Sequence, residues 1–192
     1  GTVLVDGVNV KAYRQEALNN KIGYVPQKAV LFRGSVQSNV AYGESAYGEH
    51  APEDVKRAVA IAQGTDFVEK MENTYEADIS QSGTNISGGQ KQRQSIARAV
   101  CRRPEIYIFD DSFSALDYRT DRDLRAALRQ ETEGVTSLIV AQRIGTIMNA
   151  DRILVLDEGR VVGMGTHREL LKTCDVYREI AMSRLSEEEL AL

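Results

Sequence analysis

Continuous apolar runs and helix-spaced apolar positions alternate along this chain. Ile22–Val25, Ile106–Phe109 and Ser137–Ala141 are predicted strands, and the last two are typical of buried strands in a parallel sheet. Apolar residues recur at helical spacing over about 52–71, and a further helix is predicted over about 88–102. Strands that alternate with helices predict an α/β domain with a largely parallel sheet.

The remaining pattern predicts shorter elements. Gly64 is expected to divide the 52–71 segment into two helices. A charged helix is predicted over Tyr118–Thr132, and Asp157–Arg160 is a hairpin signal between two short strands. The other predicted elements are a loop with a short helix at 35–48, a polar loop at 73–87, a short helix at 144–149, a helix after the capping box of Thr166 and Glu169, a helix at 174–185 and an acidic tail at 186–192.

Composition and charge place the chain among ordinary folded domains. Of its 192 residues, 42% are hydrophobic and 27% are charged, which argues against disorder. The net charge of −4 argues against a basic nucleic-acid-binding domain, so no nucleic-acid partner is expected. Basic residues do cluster at 91–103, where a solvated helix face is the more frequent explanation. No apolar run approaches the ~18 residues that span a bilayer.

Polar side chains follow three of the predicted strands. Gln27 follows the first strand, Asp110 and Asp111 follow the second, and Gln142 follows the third. Ligands of open α/β sheets bind at the carboxyl ends of strands, and Mg²⁺ takes one or two carboxylates together with phosphate oxygens. Each residue alone has a plainer explanation as a loop residue, a turn residue or a strand cap. Their shared position predicts a site for Mg²⁺ and phosphate.

The segment Ser87-Gly88-Gly89-Gln90 precedes the helix predicted at 88–102. Its glycines let a ligand approach the backbone, and the helix N-terminus favours an anion. An ordinary glycine turn is the alternative interpretation. The usual phosphate-binding loop, G-x-x-x-x-G-K-[ST], does not occur in the sequence, so this turn predicts a contact with a terminal phosphate and not a complete nucleotide site.

Five motifs together resemble the nucleotide-binding domain of ATP-binding cassette (ABC) transporters of the exporter type. The resemblance covers nearly the whole chain, and the motifs have the order and spacing of that family. They are Gly23–Gln27, similar to the Q-loop; Ser80–Thr84, similar to the exporter loop that contacts the membrane domain; Ile86–Gln90, similar to the signature motif; Ile106–Asp110, similar to the Walker B strand; and Ser114–Asp117, similar to the D-loop.

The resemblance implies a P-loop NTPase-like α/β fold with a helical signature-motif subdomain at about 35–103. The α/β core would comprise residues 1–34 and 104–185, followed by the tail. The family's phosphate loop lies upstream of a segment like Gly1–Gly7, so we expect the chain to be a partial domain that starts after that loop and its strands. The implied location is the cytoplasmic side of a membrane, against the transmembrane domain of the transporter.

The resemblance also implies a second nucleotide-binding domain as partner, in a head-to-tail dimer around two ATP molecules. The γ-phosphate of an ATP that the partner carries would then be bound by Ser87, Gly88 and Gly89, with Gln90. Asp117 would organise the dimer interface, with a helix N-cap as its alternative role.

In the chain's own site, the resemblance makes ATP and Mg²⁺ the expected ligands in the intact transporter. The chain alone lacks the phosphate loop, so we expect it not to bind them by itself and to be inactive as an ATPase. Asp110 would hold Mg²⁺ through water, and Gln27 would reach Mg²⁺ or water and relay the nucleotide state to the membrane domain. Asp111 stands where the family normally has Glu, which polarises the attacking water. Gln142 stands where the family normally has His, which holds the γ-phosphate. Both departures together resemble the degenerate half of heterodimeric exporters.

Two other functions remain open at this point. The head of a chromosome-maintenance or DNA-repair ATPase shares the signature and Walker B strand, although no sustained heptads occur here. A nucleotide-free dimerisation module is the second alternative. It would expose an apolar side and an unpaired edge of the sheet, bind ATP weakly or not at all, and self-associate. The motifs leave the transported substrate undetermined, because membrane segments select it.

Overall fold

The computed structural model describes residues 1–43 and 48–184, which form two compact units. The first unit comprises Gly1–Val140, and the second begins at Ala141. The predicted tail at 186–192 and part of the predicted loop at 35–48 lie outside the described residues. In the described part of the chain, no helix is long and apolar enough to cross a membrane.

The first unit contains short antiparallel pairs, a parallel sheet and a set of helices. Its strands are β1 (Leu4–Val5), β2 (Val8–Asn9), β3 (Ile22–Val25), β4 (Gly34–Ser35), β5 (Asp78–Ile79), β6 (Ile106–Asp110) and β7 (Thr136–Val140). Its helices are α1 (Gln15–Lys21), α2 (Val36–Val40), α3 (Pro52–Ile61), α4 (Thr65–Val68), α5 (Gly88–Cys101) and α6 (Tyr118–Glu131). The predicted mixed α/β architecture with a parallel sheet is confirmed.

The parallel sheet has the strand order β3–β6–β7, with β6 in the middle. The register aligns Val25 with Phe109, and Phe109 with Ile139. The carboxyl ends of all three strands therefore lie at one edge of the sheet. Side chains alternate between the two faces of a strand, and Val25, Tyr107 and Phe109 are buried on the same face, in the core of the unit.

The opposite face of this sheet is largely uncovered. Tyr24, Leu138 and Val140 are 53%, 56% and 50% exposed, respectively. The prediction that Ser137–Ala141 is a buried strand is therefore wrong in its burial, although β7 lies there. The sequence of β7 is apolar because the strand carries apolar residues on both faces. None of the described segments covers the face with Leu138 and Val140, so these residues are exposed. An exposed apolar face agrees with the expectation for a self-associating chain, and self-association stays a prediction.

Helices α2, α3 and α5 form the layer that packs on the buried face. Their apolar positions join the sheet in one core that includes Val36, Val55, Val59, Ile96 and Val100. Gly64 does divide the predicted helical segment, because it is the N-cap residue of α4 after α3 has ended. Pro52 lies in the first turn of α3, where its missing N–H costs no hydrogen bond.

Two elements differ from the sequence prediction. The predicted polar loop at 73–87 contains β5, which pairs with β4 because the chain brings Gly34 opposite Ile79. Only tertiary contact makes so short a pair stable. Helix α1 was not predicted, since none of its residues is buried and it therefore shows no apolar period.

The second unit consists of α7 (Ile144–Ile147), the hairpin β8 (Ile153–Asp157) and β9 (Arg160–Gly165), α8 (His167–Thr173) and α9 (Asp175–Arg184). The hairpin prediction is confirmed, with Asp157 paired to Arg160 across the turn. The capping box is confirmed too, since the Thr166 and Glu169 side chains each accept a hydrogen bond from the other residue's backbone N–H.

The two buried glutamines of α5 provide a test of how polar groups affect stability. Both polar side-chain atoms of Gln94 are buried and have no hydrogen-bond partner among the described residues. Gln92 Nε2, by contrast, donates to the Pro26 carbonyl at 3.1 Å. We expect Gln94→Met to raise the free energy of unfolding by roughly 1–3 kcal/mol, because it removes an unsatisfied buried amide while keeping a similar side-chain volume.

The matched variant Gln92→Met should lower the free energy of unfolding by about 1 kcal/mol, because it removes a hydrogen bond that is made. Urea unfolding followed by circular dichroism measures both changes. Equal destabilisation by the two variants would contradict the assignment of Gln94 as unsatisfied.

Candidate functional site at the ends of the parallel strands

Gln27 and the two aspartates meet at the carboxyl edge of the parallel sheet. Gln27 Nε2 donates a hydrogen bond to Asp111 Oδ2 at 3.2 Å, and the Tyr24 hydroxyl donates to Asp110 Oδ2 at 3.1 Å. Both aspartates are half-buried, while Gln27 is exposed. The structure thus assembles the two carboxylates and the amide that the sequence placed at two separate strand ends.

Ser112 links the carboxyl ends of β3 and β6. Its hydroxyl is buried and donates to the Val25 carbonyl at 2.8 Å. Neither Ser112 nor Tyr24 was predicted as a site residue, although Tyr24 lies within the Gly23–Gln27 motif. The alternation of β3 could have suggested Tyr24, because a tyrosine one residue before the buried Val25 must lie on the other face. Nothing in the sequence pattern indicated Ser112.

The hydrogen bond to Asp110 raises the pKa of Tyr24 above its usual value near 10, and partial desolvation adds to the effect. A tyrosine whose pKa is raised is protonated at neutral pH. The Tyr24 hydroxyl is therefore a hydrogen-bond donor to the Asp110 carboxylate under ordinary conditions.

Asp111 has an unusual backbone conformation. Its φ is +45°, in the left-handed region, which Asp tolerates better than most residues. Its N–H donates to the Val140 carbonyl at 2.9 Å, and its own carbonyl accepts from the Ser114 hydroxyl at 2.9 Å. These contacts fix the turn at the end of β6 and direct the Asp111 carboxylate towards Gln27.

The donor set at this edge fits Mg²⁺ held together with phosphate. Carboxylate and amide oxygens are hard ligands, and Mg²⁺ in such sites takes one or two carboxylates and fills its remaining positions with water and phosphate oxygens. The described residues contain no cluster of three or more His, Cys, Asp or Glu side chains that could hold a metal by themselves. A metal bound here would therefore take further ligands such as water or phosphate oxygens.

The glycine turn before α5 forms a capping box. Ser87 Oγ accepts from the Gln90 N–H at 3.2 Å, and Gln90 Oε1 accepts from the Ser87 N–H at 2.9 Å. Accepting this bond leaves the Ser87 hydroxyl proton available to a ligand. Ser87 and Gly88 are exposed, so the turn does not lie in the interior of the fold. The role of Gln90 in nucleotide binding stays a prediction, since its side-chain oxygen serves the cap.

The two glycines of this turn differ in their surroundings. A Cβ on Gly89 would lie 3.4 Å from the Ala115 carbonyl oxygen, so Gly89 allows α5 to approach the 114–117 segment closely. A Cβ on Gly88 would meet no atom within 4 Å. Among the described residues, close packing therefore requires glycine at position 89 but not at position 88.

Asp117 is the N-cap residue of α6. Its side chain accepts from the Thr120 N–H at 3.0 Å, and this backbone hydrogen bond is the main cause of a lowered pKa for the Asp117 carboxyl. The alternative interpretation as a helix cap is thus what the structure shows. A further role of Asp117 at a dimer interface stays a prediction.

Gln142 belongs to the second unit and lies two residues after the end of β7. Its side chain is exposed. Its predicted contact with a γ-phosphate stays a prediction.

An exposed aromatic cluster, formed by Phe32 and Tyr42 over Arg98, lies in the helical layer. The two ring centroids are 4.6 Å apart, and the Arg98 guanidinium carbon is 5.3 Å and 5.5 Å from them. Arg98 is held by bonds to the Asn39 and Val30 carbonyls. The sequence analysis did not single out this cluster, because its members come from separate segments.

The Ser80–Thr84 loop has a defined shape. The Ser80 hydroxyl hydrogen-bonds to the Thr84 hydroxyl at 2.8 Å and to Asn85 Oδ1 at 2.9 Å. Ser82 has φ +60°, and the side chains of Gln81 and Ser82 are exposed. This loop therefore presents polar side chains from a fixed backbone.

Comparison with known proteins places the chain among transporter proteins. A family model described as ABC transporter matches residues 1–114. An uncharacterised ABC transporter ATP-binding protein of Mycobacterium tuberculosis is 44% identical over 184 residues, which are 96% of this chain and 31% of that protein. An ATP-dependent lipid A-core flippase of Hahella chejuensis is 39% identical over 97% of this chain and 32% of its own length.

A solved structure of a bacterial Atm1-family ABC exporter with ATP bound is similar in fold. It has 35% sequence identity and a TM-score of 0.91, over 97% of this chain and 32% of that chain. The chain thus spans about a third of the length of the relatives that it matches.

The Asp117 cap predicts a pH dependence of stability. Folding lowers the pKa of the Asp117 carboxyl below its unfolded value of about 3.9. The charged carboxylate therefore stabilises the fold above the unfolded pKa, and this stabilisation is lost as the pH falls through the folded pKa. Asp117→Asn keeps a cap acceptor without a titratable proton. We expect the stability of the wild-type chain to fall more steeply than that of Asp117→Asn below about pH 4. Denaturant titrations between pH 6 and pH 3 measure this, and parallel curves would contradict it.

Proposed function

Because this chain belongs to the ABC transporter family, we propose that it is the ATP-binding domain of an exporter that couples ATP binding and hydrolysis to transport across a membrane. The transported substrate is chosen elsewhere in such a protein. The alternative of a DNA-repair ATPase head gains no support, since the similar proteins are transporter proteins.

The observation that carries this proposal is the exposed turn of Ser87 and Gly88 at the N-terminus of α5. An anion is favoured at this turn by backbone N–H groups, by the positive end of a 14-residue helix and by a hydroxyl donor. In the head-to-tail dimer of two nucleotide-binding domains that the family resemblance implies, the turn serves the γ-phosphate of an ATP that the second domain holds.

The chain's own contribution to a nucleotide site is the strand-end group. Asp110 would hold Mg²⁺ through water, and Gln27 would reach Mg²⁺ or water. Asp111 would orient the attacking water, and Gln142 would contact the γ-phosphate. Bound Mg²⁺ would neutralise charge on the transferring phosphoryl group. The Gln27–Asp111 hydrogen bond supports this assignment, because it joins the residue that senses the nucleotide to the carboxylate that would act on water.

This site is the weaker of the two in the dimer, and the transporter is a heterodimer. Asp111 is one methylene shorter than the usual Glu, and a misplacement of about 1 Å can cost on the order of 10²-fold in rate. Gln142 can donate a hydrogen bond but carries no titratable proton. The intact signature turn then completes the partner's competent site.

The membrane domain of the transporter docks on the helical layer, at the cytoplasmic side of the membrane. Two features support docking of the membrane domain on this layer. The aromatic cluster offers exposed apolar area, and the Ser80–Thr84 loop offers polar groups on a fixed backbone. Interfaces between proteins favour exposed aromatic and arginine side chains of this kind.

Gly88→Ala in the complete transporter tests the proposal. The added methyl group would meet none of the described residues within 4 Å, so folding should be unaffected, while a phosphate approaching the turn would be displaced. We expect ATP turnover to fall about 10- to 100-fold, in line with the cost of misplacing a reacting group by about 1 Å. Turnover and the melting temperature are measured together. Wild-type turnover in a folded Gly88→Ala transporter would refute the phosphate contact.

Asp111→Glu combined with Gln142→His tests the weaker-site assignment. In a transporter whose other site is inactivated, we expect the remaining ATP turnover to rise on the order of 10²-fold, because the carboxylate regains its reach. Each single variant serves as a control and should give a smaller gain. Unchanged turnover in the folded double variant would show that these two residues do not limit hydrolysis.

A further inference from the structure

We infer that Tyr24 is a positioning residue for the metal site: its hydroxyl holds one oxygen of Asp110 and leaves the other available to Mg²⁺ or its bound water. The inference rests on the proposed function, since it gives Asp110 the metal. It goes beyond that function because it assigns a role to a tyrosine that lies outside the strand-end group of Gln27, Asp110, Asp111 and Gln142.

The sheet register creates this contact. Tyr24 pairs with Ile108 across β3 and β6, so Asp110 is two residues further along β6 and on the same face of the sheet. A diagonal neighbour of this kind lies within reach of an aromatic side chain. The observed distance of 3.1 Å from the Tyr24 hydroxyl to Asp110 Oδ2 is that of a hydrogen bond.

The specific contact between Tyr24 and β6 is made by the Tyr24 hydroxyl, which donates to Asp110 Oδ2. The Tyr24 side chain is 53% exposed among the described residues, whereas its strand neighbours Gly23 and Val25 are buried. Each carboxylate at the strand ends has its own donor from the β3 side, with Tyr24 bound to Asp110 and Gln27 bound to Asp111.

The hydrogen bond to one Asp110 oxygen fixes the orientation of the carboxylate, and Mg²⁺ is a metal that requires well-oriented ligands. Mg²⁺ requires near-octahedral coordination at short distances and dehydrates reluctantly, so a rotating carboxylate would be a poor ligand for the ion or its water. Residues that orient a metal ligand by hydrogen bonding typically contribute about 10- to 100-fold to metal affinity. Loss of the Tyr24 hydroxyl should therefore weaken metal binding without removing the ligand.

Tyr24→Phe in the complete transporter tests the inference, with the other nucleotide site disabled. Mn²⁺ binding in the presence of a non-hydrolysable ATP analogue is followed by electron paramagnetic resonance. We expect Mn²⁺ affinity to fall about 10-fold or more. Binding of the analogue in EDTA should be unchanged, because the hydroxyl acts on the metal and not on the nucleotide. Loss of binding in EDTA as well would show a general structural role and overturn the inference.

Two further variants separate the possible outcomes. Tyr13→Phe removes a hydroxyl hydrogen bond to the Val5 carbonyl, remote from the strand ends, and should bind Mn²⁺ as the wild type does. Asp110→Asn should abolish the metal dependence of analogue binding. If Asp110→Asn does so while Tyr24→Phe matches the wild type, the role of Tyr24 is refuted and the proposed function stands. If Asp110→Asn leaves the metal dependence intact, the metal role of Asp110 itself fails.

Discussion

The parallel pairing of β3 with β6 is the constraint on which the strand-end site depends. It aligns Val25 with Phe109, so the residues that follow the two strands must emerge side by side. The buried hydrogen bond from Ser112 to the Val25 carbonyl fixes this alignment at the point where the ladder ends. A slip of one residue would turn Tyr24 to the opposite face and separate it from Asp110.

The turn of Ser87–Gln90 starts helix α5 and is also the proposed phosphate contact. Ser87 and Gln90 satisfy each other's backbone N–H groups, and the helix that they start carries the buried core positions of α5. Gly89 allows contact with the 114–117 segment of the same chain. A Cβ on Gly88 would meet none of the described residues within 4 Å, which makes Gly88 the glycine of this turn at which a substitution tests the proposed phosphate contact most directly.

The turn that carries Asp111 limits what its carboxylate can reach. Asp111 and Gln27 are within hydrogen-bonding distance, and the backbone of Asp111 is fixed by Val140 and Ser114. A shorter carboxylate on a rigid turn cannot compensate by moving its backbone. The reach of the side chain then decides what it can contact.

The sequence by itself determined the types of the longer elements, the motifs and the family, because apolar periodicity, caps and glycine positions are local properties. It also placed Gln27, Asp110 and Asp111 at strand ends. Only the tertiary structure decided strand order and register, and with them the contacts of Tyr24 and Ser112. The tertiary structure also decided which face of β7 is exposed, since an apolar run does not reveal how many faces of the strand are covered. It decided where α1 forms as well, because an exposed helix leaves no apolar pattern in the sequence. These features depend on contacts between residues distant in sequence, which no local pattern encodes.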